Sequence, residues 1–305
     1  MDYQAALDTF FRPTPEGVTA PAPVVAAGPA RRLRDALEPL AMHAVWSPRT
    51  YDALAEHGLN FLTGYLTGRA APLGEVPSSV VAATFAVFEP NVVDALWSDG
   101  RARLPLPELI ELRDRATADS LRAVLAPAAD DGEVRRVAET LEAAVARIDG
   151  TGRVLFSALR AQRRLADPYG RLWRATDLVR EHRGDSHVAA CIAAGLDPVR
   201  MGILMEAWLG YPVGEYSATR AWPQEAQDAG VARLEADGLI AGGTITEEGR
   251  RFRDGIEAAT DAAQQDLVEA LGDELDTVAK QLDVWSNLCV QAGTFPPDVR
   301  KRAAG

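Results

Sequence analysis

Cysteine and lysine are nearly missing from this chain. Cys191 and Cys289 are the only thiols in 305 residues. That is too few for a disulfide framework and suits a reducing, cytoplasmic setting. Lys280 and Lys301 are the only lysines, so arginine supplies almost all of the positive charge. No uncharged run approaches the roughly 18–20 apolar residues of a spanning helix. Met1-Asp2-Tyr3-Gln4 has neither the basic start nor the apolar core of a secretory leader. Metal-ligand spacing is missing as well: His182 and His187 stand five apart across a glycine, and no cysteine pair has ligand spacing, so no metal is expected. There is no Walker loop, no GxGxxG after a strand and no GxSxG elbow, and no cofactor is expected.

What is present is an acidic, apolar, helix-forming chain. Lys+Arg number 32 against 44 Asp+Glu, a formal net charge of −12. A field of that sign repels phosphate backbones and anionic membranes unless one face is locally basic. With 47% hydrophobic residues the chain can bury a large core and is not disordered. Its length suggests about two domains, here divided as 1–150 and 151–305.

Helical periodicity dominates. Ala30–Trp46 carries an apolar stripe through Leu33, Leu37 and Leu40, which Pro39 should kink or split. Ser47-Pro48 opens a helix that Gly58 closes. Asn60–Arg69, Pro77–Phe88, Asn91–Ser98, Pro107–Leu125 and Glu133–Ile148 follow; the second, almost free of charge, reads as a central buried helix, with a strand the alternative on its β-branched content. Pro21–Ala30 reads as a Pro/Ala loop. A helix from Tyr169 to His182 should stop near Gly184, with Asp185-Ser186 capping a new helix to Ala194. Asp197-Pro198 opens the next, to Leu209. Pro223–Asp237 is a helix, Leu239–Ile245 a small hairpin around Gly242-Gly243, and Thr246-Glu247-Glu248-Gly249 opens a long helix to Ala270. The fold class expected is mainly α: a helical N-terminal domain, central helices, and a winged helix-turn-helix with a small β-wing.

Leu234, Gly238-Leu239-Ile240, Thr246 and Gly249 resemble the wing region of MarR-type winged-helix proteins over roughly Pro198–Leu271. Tyr65–Gly74 with Val80–Phe88, and Arg180–Ala190, make the whole chain similar to an actinobacterial helix-turn-helix family. The resemblance implies a fold and transfers no activity. MarR-type proteins usually place arginine in the wing. Here Ala241–Thr244 holds no basic residue, and Pro223–Asp237 carries Glu225, Asp228, Glu235 and Asp237 against Arg233 alone. DNA is therefore not the expected partner.

Two clusters are candidates for chemistry. In Arg180-Glu181-His182-Arg183-Gly184-Asp185-Ser186-His187, five or more ionisable groups crowd an expected helix corner. Arg180 and Arg183 suit an anion, His182 and His187 suit proton transfer, and Asp185 or Glu181 could orient a ring. A charged corner with internal ion pairs is the plainer account. The second cluster is His43, Trp46, Tyr65, Arg69, Glu89, Asn91 and Trp97. There, a core histidine and an ordinary Tyr65–Arg69 surface pair are the plainer account.

The sequence thus favours a binding protein for a polar or anionic metabolite, with ligand contacts from His43, Tyr65, Arg69, Glu89, Asn91, Arg180, Glu181 and Arg183. It is expected to be a homodimer, or to pair with a related chain, through its C-terminal helices. The rivals are a cofactor-independent enzyme of secondary metabolism, with His182, His187 and Asp185 as its acid–base set, and a MarR-like transcriptional regulator.

Overall fold

In the computed structural model, residues 8–19 and 28–304 are described. Most of the Pro/Ala stretch and the first residues of the chain lie outside these. Mainly α is what is seen. The N-terminal helices are α1 (Pro29–Ala41), α2 (His43–Trp46), α3 (Pro48–Ala55), α4 (Phe61–Ala70), α5 (Ser78–Phe85), α6 (Pro90–Arg103), α7 (Leu106–Leu125) and α8 (Asp131–Val145). Then come α9 (Val154–Arg160), α10 (Pro168–Ala193), α11 (Pro198–Leu209) and α12 (Gln224–Ala236). A hairpin of β1 (Ile240–Ala241) and β2 (Thr244–Ile245) leads to α13 (Glu247–Ala262), α14 (Gln265–Leu271), α15 (Leu275–Gln291) and α16 (Val299–Arg302). Among these described residues no single helix is long and apolar enough to cross a membrane.

Local sequence explains most helix starts. Asp167 caps α10 by accepting from the N–H groups of Tyr169 and Gly170, at 2.9 and 3.0 Å, with Pro168 at the first helical position. Asp197 and Pro198 repeat the device on α11, and Gly210 ends that helix in the left-handed region. In the hairpin, Ile240 pairs with Ile245 and Ala241 with Thr244, so Gly242 and Gly243 form a two-residue turn with positive φ at both. Thr246 caps α13 through Gly249 N–H. Gly249 is obligatory, since a Cβ there would lie 2.0 Å from the carbonyl oxygen of Leu239.

Four boundaries differ from the sequence expectation, each for a physical reason. Gly184 does not end a helix: α10 runs straight through it. Glycine inside a helix costs about 1 kcal/mol relative to alanine, and packing along both sides of this buried helix outweighs that. Pro39 neither kinks nor splits α1, which continues to Ala41. Proline leaves the Asp35 carbonyl without its helical donor, and Arg302 supplies one instead, its Nε 2.5 Å from that oxygen. The Pro77–Phe88 segment is no central helix. It forms α5, in which only Val81 and Phe85 are buried. The long helix expected to Ala270 breaks after Ala262, where the Gln264 side chain turns inward to reach His182 and Ser186.

The largest core joins α1, α7, α8, α10 and α15 around Leu37, Leu121, Leu141, Trp173, Leu282 and Trp285. A second core lies under the wing (Leu204, Trp208, Leu234, Ile245, Ile256), and a third among α3–α7 (Leu66, Val81, Val93, Trp97). A small aromatic core of Phe10, Trp46, Phe61, Tyr216 and Phe295 lies between them.

Helix α10 is also the electrostatic spine. Arg174 meets Asp114 at 2.7 Å, and Glu181 receives a two-pronged contact from Arg69, both prongs at 2.8 Å. Arg183 meets Glu257 at 2.6 Å, and Arg31 and Arg253 hold the same carboxylate. Burial raises the Glu257 pKa, but the surrounding guanidiniums outweigh it and hold the carboxyl well below the usual range. Glu257→Ala would leave Arg253 without its anion and take from Arg31 and Arg183 one of the two carboxylates that each of them holds. It should lower the unfolding free energy by about 3–5 kcal/mol in chemical denaturation. Glu248→Ala, which breaks an exposed pair with Arg251, should change it by less than about 0.5 kcal/mol.

Candidate functional site

A cavity of about 180 Å³ opens where the small aromatic core meets α10. Its apolar walls include Phe10, Trp46, Phe61, Phe85, Phe88 and Tyr216. Its charged lining comprises Arg34, Arg69, Arg180, Arg183, Arg220 and Lys301, against Glu38, Glu181 and Asp185. Six cations thus face three carboxylates in a protein whose net charge is −12.

The structure brings the two sequence clusters together in part. Tyr65 and Arg69 from α4 line the cavity with Arg180, Glu181, Arg183, Asp185 and His187 from α10. The i,i+4 pair on α4 is a contact, Arg69 Nη1 lying 3.4 Å from the Tyr65 hydroxyl. Arg69 also stacks over Phe85, 4.7 Å from the ring centre. Arg180 bridges Glu38 at 3.3 Å and Glu181 at 3.0 Å.

The remaining residues lie elsewhere. His43 is fully buried in the core with Nε2 2.9 Å from Ser120 Oγ, and burial alone lowers its pKa to about 3. The Glu89 carboxylate caps α6 by accepting from Val92 N–H at 2.8 Å, and Asn91 donates to the same carboxylate. Neither of these two lines the cavity. His182 points away from it, packed edge-on against Phe156 at 4.9 Å. Its Nδ1 lies 2.9 Å from Gln264 Oε1 and its Nε2 3.2 Å from the Asp149 carbonyl oxygen. Burial holds its pKa below the ordinary value despite both acceptors.

His187 reaches the cavity with both ring nitrogens engaged. Nδ1 lies 3.0 Å from Thr260 Oγ1, and Nε2 lies 3.6 Å from Cys191 Sγ. Burial and the nearby Arg253 guanidinium lower its pKa, so the ring is neutral. Asp185 caps a different helix from the one its sequence position suggests. It accepts the Phe156 N–H at 3.0 Å, in the first turn of α9. Burial pushes its pKa up to about 6.

Sequence reading missed Arg34, Glu38, Phe10, Tyr216, Arg220 and Lys301, which come from segments outside both clusters. Only Lys301 carried a signal, as one of two lysines in an arginine-rich chain. Arg220 is distinctive in geometry. It stacks on Phe88 at 4.6 Å and Tyr216 at 4.7 Å and donates to the Tyr216 hydroxyl at 2.8 Å. Among the described residues it meets no carboxylate. The other cavity arginines do: Arg34 with Asp35, Arg69 with Glu181, Arg180 with Glu38 and Glu181, and Arg183 with Glu257.

The raised Asp185 pKa has a stability consequence. Between the unfolded value near 3.8 and the folded value of about 6, the folded state holds the proton more tightly. Stability from this group is present at low pH and is lost as pH rises through that window. Asp185→Asn removes the effect while keeping an acceptor for Phe156. The variant should therefore gain stability relative to the parent between about pH 4 and about pH 7 in denaturant titrations. A gap independent of pH would contradict the assignment.

Set against known proteins, residues 30–296 match the model of a helix-turn-helix family. No curated protein and no solved structure matches the chain. The match spans most of the sequence, and the chain belongs to this helix-turn-helix family.

Proposed function

We propose that the protein binds an anionic small molecule in the cavity beside α10, on a winged-helix scaffold of MarR type that no longer reads DNA. The observation that carries this reading is Arg220, a cation on the wall of an aromatic cavity with no carboxylate partner among the described residues. Every other arginine of that wall already has its anion. A guanidinium held against two rings, with one nitrogen on the Tyr216 hydroxyl, keeps further donors for a carboxylate or phosphate. The volume suits an aromatic ring bearing such a group, since an apolar cavity of about 150 Å³ holds one benzene ring. His187 and His182 have their ring nitrogens engaged, which argues against the acid–base enzyme reading.

The second half of the proposal rests on the exposed face of α12, the helix before the wing. Glu225, Asp228 and Glu235 are exposed there, and so is Asp237 at its end, which pairs with Arg200; Arg233 is the only basic residue on the helix itself. The wing tip is tied to the same helix by Gly242 N–H donating to Glu235 at 3.1 Å. A recognition helix needs cations for phosphates and forked donors for base edges, and this face would repel both strands.

Calorimetric titration with 4-methylbenzoate and its uncharged amide tests the binding reading. The carboxylate should bind and the amide should not, and Arg220→Gln should weaken the carboxylate by about 10- to 100-fold, the worth of a charge-assisted hydrogen bond. Equal affinity for acid and amide would overturn it. For DNA, fluorescence anisotropy with random duplexes at about 50 mM salt should give no saturable binding; a steep salt-dependent isotherm would sink that half.

A further inference from the structure

We propose that Lys301 forms a reversible imine with a carbonyl group of the ligand that this cavity holds, an aldehyde or ketone carrying a carboxylate. The inference rests on the cavity being a ligand site and goes further, to a covalent step.

Lys301 sits in α16 between two anchored arginines. Arg300 pairs with Asp298 at 2.7 Å, donates to the Gly210 carbonyl at 2.8 Å and stacks 3.8 Å from the centre of Tyr211. Arg302 binds Asp283 at 2.7 Å and Asn287 at 3.0 Å, besides the Asp35 carbonyl. The segment is therefore fixed on both sides, and its middle side chain is aimed at the cavity. Lys301 is only 6% exposed, and among the described residues its Nζ has no hydrogen-bond partner. It lies 3.9 Å from the ring centre of Tyr216, 4.1 Å from Phe10 and 5.1 Å from Trp46.

A buried ammonium with three donors and no acceptor is costly. Aromatic faces offset some of that cost, but burial and the neighbouring Arg220 oppose the charge. The balance holds the amine well below its ordinary pKa. A neutral, desolvated lysine is a nucleophile, which arginine can never be. In a chain that uses arginine for nearly every other cation, the residue at this point is the one whose chemistry differs.

The step balances without a co-reactant. The Nζ lone pair attacks the carbonyl carbon, and the C=O π electrons move to oxygen, which takes a proton. Nitrogen loses a proton, hydroxide departs with another as water, and a C=N bond remains. Among carboxylates Glu38 acts most strongly on Lys301, and its Oε2 has no hydrogen-bond partner among the described residues. Arg220, against the same Tyr216 ring, holds the ligand carboxylate.

The chain provides its own control, because Lys280 is exposed on α15 and is the only other lysine. Full-length protein incubated with 4-formylbenzoate, reduced with borohydride and mapped by peptide mass should carry the adduct on Lys301. Labelling there should be faster than on Lys280 by about tenfold or more, as expected for a desolvated amine whose pKa lies well below the ordinary value. Lys301→Arg should lose that adduct. Labelling of Lys301 no faster than Lys280, in protein that still binds 4-methylbenzoate, overturns the imine and leaves the binding reading standing. Failure of wild-type protein both to bind 4-methylbenzoate and to label at Lys301 overturns both.

Discussion

A charge buried without a partner is among the most expensive things a folded chain can contain, and this constraint organises the molecule. Helix α10 runs through the centre with arginines and carboxylates on more than one face. Asp114, Glu38 and Glu257 meet its arginines from other helices, and Arg69 meets its Glu181, so the neighbours of α10 are fixed by charge as well as by packing. Glu257 alone gathers guanidiniums from α1, α10 and α13. Such a hub specifies which helices meet even if a well-packed apolar substitute would be as stable.

Against that background the exceptions are informative. Nearly every buried cation near α10 has its anion, while Arg220 and Lys301, on the wall of one cavity, have none among the described residues. Both rest on Tyr216. The Tyr216 face can hold the Arg220 guanidinium ready for an anion that arrives from outside, where a protein carboxylate would have closed the site. In the proposed reading the acidic outer face of α12 would turn phosphate backbones away while the cavity draws a small anion inward.

Local chemistry made much of the fold legible in the sequence. The Asp197-Pro198 start of α11, the Gly-Gly turn and the Thr246–Gly249 start of α13 are all short-range devices, and each is where the sequence puts it. What failed was reading Gly184 and Pro39 as breaks. Both are overridden by partners remote in sequence: packing on both sides of α10, and Arg302 donating to the carbonyl that Pro39 leaves unbonded. The candidate site was half legible. Residues on α4 and α10 announced themselves as dense charge and as an i,i+4 pair. Arg220, Tyr216 and Lys301 did not, because being unpaired is a property of three-dimensional surroundings. His43, Glu89 and Asn91 show the reverse error, since polar residues in an apolar stretch served as core bonding and capping groups.

Native mass spectrometry of the full chain purified from its own host tests the central claim most directly. The account predicts a stoichiometric small acidic adduct and no co-purified duplex. Chain of bare mass that carries nucleic acid instead would contradict it.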